Sequence, residues 1–93
     1  MKEINFSVGP YTIKARKAVA QNNNIPSKFI STFGQQLSQV NLESEVYNLI
    51  INGSDRFYFV PGINLLVIYF LNEFVPYPEL SQYLHEISRA LTV

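Results

Sequence analysis

The feature that most constrains this chain is the dipeptide Asn52-Gly53, which lies between two apolar runs. Both central residues of a type I′ turn need a positive φ, and Asn followed by Gly adopts that geometry readily. The flanking segments, residues 45–51 and 55–60, are rich in β-branched and aromatic side chains, which are typical of strands. We therefore predict an antiparallel hairpin that turns at Asn52-Gly53.

A second hairpin is predicted at the start of the chain. Residues 2–8 and 11–16 alternate between polar and apolar side chains, which is the period of a half-buried strand. Gly9-Pro10 between them fits a type II′ turn, because glycine accepts the positive φ of the first central position and proline fits the second. This hairpin has one polar face. The strands around Asn52-Gly53 are apolar on both faces, so something must cover the second face.

Helical periodicity appears in two segments. Residues 25–40 carry one apolar stripe at helical spacing, and Pro26 suits the first turn, where a backbone N–H has no partner. Residues 77–92 carry a second, cleaner stripe, with Glu79 in the first turn and Arg89 in the last. Both segments are predicted to be helices that pack on the sheet.

Residues 63–75 allow two interpretations. Residues 65–71 are apolar on every face, and periodicity does not separate a buried helix from a buried strand in such a run. Asn64 as an N-cap and Pro76 as a terminator favour a helix, and a fifth strand is the alternative.

These segments predict a single α+β domain over residues 1–93, in the order β-β-α-β-β-α-α. Two antiparallel hairpins would form a small sheet with two to three packed helices, residues 63–75 being a helix or a fifth strand. A length of 93 residues suits one domain.

Several classes of function lack their residues. The chain has no cysteine, which excludes a thiol nucleophile, a disulfide framework and an iron–sulfur cluster. No phosphate-binding, dinucleotide-binding or zinc-protease motif is present. The only histidine, His85, could meet Ser81 one helical turn away, but no oxyanion-hole motif accompanies the pair. We predict a protein that is not an enzyme and uses no cofactor and no metal.

The surroundings of the protein are also constrained. Absence of cysteine fits a reducing compartment, and we predict a cytoplasmic location. The longest apolar stretch is interrupted by proline, asparagine and glutamate, and a spanning helix needs about 20 mostly apolar residues. We therefore predict no membrane span.

The apolar excess suggests a protein partner. Apolar residues make up 47% of the chain and charged residues only 15%, which leaves few polar side chains to coat an apolar surface. We predict a non-catalytic interaction module of adaptor, immunity, antitoxin or inhibitor type, such as phage and other mobile elements encode, that forms a homodimer. The alternative is that its own helices cover the aromatic surface. The predicted interface residues are Tyr47, Leu49, Tyr58, Phe70 and Phe74.

Charge is distributed unevenly along the chain. Residues 1–28 carry five Lys and Arg against one Glu, a net charge of +4, whereas residues 29–93 carry a net charge of −4. A second hypothesis is thus weak binding of nucleic acid or of an acidic partner, and a solvated sheet face is the alternative. A third is a small-ligand site lined by tyrosines. The predicted basic patch is Lys14, Arg16, Lys17 and Lys28.

Overall fold

The structure, a computed structural model, describes residues 3–18, 25–39 and 46–92. Its centre is a six-stranded antiparallel sheet in which the strands follow one another in chain order. The strands are β1 (Ile4–Val8), β2 (Tyr11–Lys17), β3 (Tyr47–Ile51), β4 (Ser54–Val60), β5 (Leu65–Phe70) and β6 (Glu73–Pro76). The helices are α1 (Ser27–Thr32), α2 (Gly34–Leu37) and α3 (Leu84–Leu91), with 3₁₀ turns at Pro61–Ile63 and Pro78–Tyr83. The predicted α+β class is confirmed.

Both predicted hairpins form with two-residue turns. Val8 pairs with Tyr11 around Gly9, whose φ is +51°. In the β3–β4 hairpin the central residues Asn52 and Gly53 have φ values of +49° and +87°, as a type I′ turn requires.

Asn52 also joins the two hairpins. Its backbone N–H donates to the carbonyl of Thr12, and its side-chain Oδ1 accepts a hydrogen bond from the Thr12 N–H, both at 2.9 Å. The same two strands pair in register from Ile13 opposite Ile51 to Lys17 opposite Tyr47. The turn that ends β3 therefore also fixes β2 beside it.

The two predicted helical segments form with differences of detail. Residues 25–40 are not one helix, because α1 and α2 are separated at Phe33, whose φ of −115° is not helical. The C-terminal helix begins as a 3₁₀ turn and continues as α3. The predicted helix end at residue 40 and strand start at residue 45 lie outside the described residues.

Within residues 63–75 the chain forms β5 (Leu65–Phe70) and most of β6 (Glu73–Pro76), so the strand alternative is correct and the helix favoured by the capping signals does not form. Asn64 is not an N-cap but ends a 3₁₀ turn in the left-handed conformation, with φ of +49°. The run is apolar on every face because β5 is covered on both sides: Leu66 belongs to one core cluster and Val67 to the other. A sixth strand follows β5 through a two-residue turn.

The sheet separates two apolar clusters. On the side that we call the α3 face, the C-terminal helix packs through Leu80, Ile87 and Leu91 against strand residues such as Leu49 and Phe59. These side chains are all buried. The polar half of the first hairpin points away from this cluster, as predicted.

On the opposite side, the α1 face, α1 covers the β4–β6 end of the sheet, and Leu37 of α2 belongs to the same apolar cluster. Phe29 is fully buried there and packs with Val60, Val67 and Phe74. The chain's own helices therefore cover much of the second apolar face. At the β1–β2 end this face carries exposed or half-buried polar residues: Asn5, Ser7, Thr12, Lys14 and Arg16. None of the helices in the described part of the chain has the length and hydrophobicity needed to cross a bilayer.

Candidate interaction surfaces

The five residues predicted as an interface do not form one surface. Leu49 is fully buried in the cluster on the α3 face, and Phe74 is only 5% exposed. Including these two was wrong, because each completes a core beneath the protein's own helices. Tyr47 and Tyr58 are half-buried and lie in opposite clusters. Phe70 alone is clearly exposed, at 51%.

Phe70 belongs to an apolar patch at the tip of the β5–β6 hairpin, which we call the hairpin-tip patch: Phe70, Leu71 and Val75. Leu71 is 79% exposed and Val75 is 39% exposed. Val75 lies opposite Ile68, two residues from Phe70 on β5, so Phe70 and Val75 share the α3 face. Of these three residues, only Phe70 is among the predicted interface residues.

Leu71 has an unusual backbone for its residue type. Its φ is +50° and that of Asn72 is +64°, close to the values in the Asn52-Gly53 turn. A left-handed conformation costs a side chain with a Cβ about 1–2 kcal/mol, and asparagine and glycine escape most of this cost. The chain therefore uses a favourable residue pair in one hairpin and an unfavourable, exposed leucine in the other.

The predicted basic patch is divided by the sheet. Lys14 and Arg16 point to the α1 face of β2. Lys17, opposite Tyr47, points to the α3 face, and Lys28 lies on α1. Arg16 Nε is 3.8 Å from Glu3 Oε2, so part of its charge is compensated. The four residues do not form one patch.

A groove lies on the α1 face, between α1 and strands β4–β6, and has a volume of about 440 Å³. Its aromatic wall is ordered around Phe74, whose ring centroid lies 5.7 Å from that of Tyr58 and 4.8 Å from that of Tyr69. Two tyrosines are therefore brought together, as the hypothesis of a site lined by tyrosines requires. We call this the α1 groove, and it is lined by Pro26, Ser27, Lys28, Asp55, Arg56, Tyr58, Tyr69 and Phe74.

Polar groups of the α1 groove are partly committed to neighbours. Arg56 Nε donates to Ser54 Oγ at 3.3 Å, and the Tyr69 hydroxyl donates to Asn72 Oδ1 at 3.2 Å. Burial, and after it the negative charge of Asp55, raises the pKa of Tyr58 above its usual value, so its hydroxyl keeps its proton at neutral pH. Arg56 and Asp55 were not predicted to be site residues, although Arg56 lies two residues before Tyr58 and therefore shares its face of the strand.

The Ser81–His85 pair shows no catalytic arrangement. The Ser81 hydroxyl donates to the Pro78 carbonyl at 2.7 Å, and His85 is exposed. Over the described ranges, no three or more His, Asp or Glu side chains are grouped to hold a metal ion. No family model, curated protein or solved structure matches this chain.

Proposed function

We propose that this protein is a non-catalytic protein–protein interaction module that self-associates through the hairpin-tip patch. The observation that carries the proposal is Leu71, which is 79% exposed at a φ of +50°. Its side chain gains little from burial in the monomer and its backbone is strained. Residues held in rare backbone conformations are concentrated at binding sites and other functional positions, and a contact made by the leucine would offset its cost.

The rest of the patch supports the same proposal. Phe70 and Val75 extend the apolar surface on the adjoining strands, and aromatic residues are enriched at the centres of interfaces. Glu73, exposed beside them, would lie at the rim. Burial of these side chains would contribute about 25 cal/mol for each Å² removed from water.

A second copy of the chain is the partner that we propose. The formal net charge is zero, so two copies approach without the long-range repulsion that keeps charged proteins apart. A twofold dimer brings the same patch together from each copy, and an apolar patch is complementary to itself. Adaptors, immunity proteins and inhibitors are the classes in which such a module would act. The predicted cytoplasmic location rests on the cysteine-free sequence alone.

The test is the substitution Leu71→Asn, followed by sedimentation velocity and light scattering over a range of micromolar concentrations. The native protein is expected at twice the chain mass of 10.7 kDa, and the variant at the mass of one chain. Because asparagine tolerates the left-handed conformation, the variant monomer should also be more stable than the native monomer by about 1 kcal/mol.

The matched control is Ile30→Gln, which removes an apolar side chain that is 38% exposed on α1 and outside the patch. This variant should remain dimeric. Self-association through the hairpin would be refuted by a native protein that stays monomeric, or by a Leu71→Asn variant that dimerises as tightly as the native chain.

A further inference from the structure

The α1 groove presents two partly exposed aromatic rings in fixed positions. Phe74 packs edge-on against Tyr58, with an interplanar angle of 78°, and at 50° against Tyr69. Phe29 supports the same group from α1, with its ring centroid 5.6 Å from that of Tyr58. A planar ligand ring can stack on such side chains, as bases stack on the tyrosines of proteins that bind single strands.

Two cations border these rings. Lys28 is exposed on α1 and Arg56 is exposed on β4. Neither forms an ion pair with a carboxylate of the described residues. A guanidinium offers several donors in a planar fork that matches phosphate oxygens, and an ammonium adds a point charge.

The third charged residue of the groove limits the ligand's charge. Asp55 also lines the groove, so the two cations are opposed by one carboxylate and the net charge of the lining is +1. This balance suits one phosphate better than a diphosphate or triphosphate. The volume of about 440 Å³ lies in the range of sites for small ligands.

We propose that the α1 groove binds a nucleoside monophosphate unit. The base lies against Tyr58 and Tyr69, and the phosphate lies between Lys28 and Arg56. The unit is either a free nucleotide or one nucleotide of a single strand, since both present the same ring and phosphate. This site is independent of the hairpin-tip patch, whose residues do not line the groove.

The position of the β2 cations in the sheet provides a way to distinguish a free nucleotide from a single strand. Arg16 pairs with Asn48, and Asn48 pairs with Tyr58 across the α1 face, so the cations of β2 lie two strands, about 10 Å, from the groove. A single strand in the groove would carry further phosphates toward Lys14 and Arg16. A free nucleotide would not reach them.

The experiment titrates the native protein with adenosine and uridine monophosphates by NMR, and with a fluorescent eight-nucleotide single strand by anisotropy. The variant Lys28→Gln/Arg56→Gln should lose at least about tenfold in affinity for every probe that binds, because both phosphate contacts are removed. Lys17→Gln is the matched control, since Lys17 is exposed on the α3 face, and it should stay within about twofold.

The aromatic half of the site has its own pair of variants. Tyr69→Leu should weaken binding by about tenfold through loss of stacking, whereas Tyr69→Phe, which keeps the ring, should bind like the native protein. Thermal unfolding of both variants checks that the sheet is intact. If Tyr69→Leu unfolds, Lys28→Gln/Arg56→Gln decides the question, because both cations are exposed.

Charge reversal at Lys14 and Arg16 separates the two sources. If the charge-reversal variant loses oligonucleotide binding but still binds the monophosphate like the native protein, the ligand is a single strand. If the native protein binds the monophosphate and not the oligonucleotide, the ligand is a free nucleotide. The proposal is overturned if neither probe binds, if Lys17→Gln is as damaging as the groove variant, or if inorganic phosphate or an oligoglutamate peptide binds as tightly as the nucleotide.

Discussion

Gly9 leaves space for the C-terminal segment because it has a hydrogen atom where other residues have a Cβ. Its φ is +51°, and a Cβ at this position would overlap the ring and hydroxyl of Tyr83. Tyr83 in turn packs edge-on against Tyr11, with ring centroids 5.9 Å apart. The turn at Gly9-Pro10 therefore also forms part of the surface against which Tyr83 of the C-terminal segment packs.

Gly9→Ala should lower the free energy of unfolding by about 2 kcal/mol, because it combines a left-handed alanine with displacement of Tyr83. Urea unfolding at neutral pH measures this loss. Gly34→Ala is the internal control: Gly34 begins α2 and has open space around its Cβ position. That variant should be as stable as the native protein or more stable by up to about 1 kcal/mol. Equal effects of the two substitutions would contradict the role given to Gly9.

Among the elements, the hairpins differ in how far sequence predicts them. The turns at Gly9-Pro10 and Asn52-Gly53 can be predicted locally, because their residue types adopt a positive φ at a low conformational free energy. The β5–β6 turn has no such signal, because Leu71 violates the local preference. The helix favoured over residues 63–75 was wrong for this reason, and because an apolar run suits any element covered on both sides.

Prediction of the sites failed in a related way. A strand pattern indicates which residues share a face, but it does not indicate which face a helix will cover. Leu49 and Phe74 were predicted to lie at an interface, but helices that are distant from them in the chain bury both residues. Leu49 lies in the cluster that contains α3, and Phe74 lies in the cluster that contains α1. Composition suggested a site lined by tyrosines without indicating which ones, and Lys28 and Arg56 line the same groove only because α1 packs on the sheet.

The C-terminal helix is tested by Ile87→Ala. Ile87 is fully buried among the strands on the α3 face, so the cavity should cost about 2–5 kcal/mol. His85→Ala, on the exposed side of the same helix, should stay within about 0.5 kcal/mol. Thermal and urea unfolding of both variants give the comparison. If the Ile87 variant keeps native stability, α3 does not contribute to the core as the structure implies.

At the scale of the whole molecule, stability should depend on pH in the alkaline range. Burial raises the pKa of Tyr58 and, with the hydrogen bond to Glu79, that of Tyr77 above the usual value of 10.0. The folded state therefore holds these protons more tightly than the unfolded chain does. This contribution is fully present below pH 10 and is lost as the pH rises through the folded-state pKa values.

Urea unfolding from about pH 8 to about pH 11 should show a flat region and then a decline. Tyr58→Phe removes the ionisation of Tyr58 and should make the decline shallower while leaving stability near pH 8 little changed. An identical alkaline decline in the variant would show that Tyr58 is not the group responsible.

The two apolar clusters on opposite sides of the sheet have a consequence for variation in this protein. On the strands β4 and β5, alternate residues belong to different clusters, as Leu66 and Val67 do on β5. Each of these two strands therefore packs in two directions, toward α3 on one face and toward the cluster that contains α1 and α2 on the other. Substitutions on one face can accumulate and be compensated there without repacking the other face. The residues of the α1 groove and the residues that pack against α3 can therefore change independently during evolution.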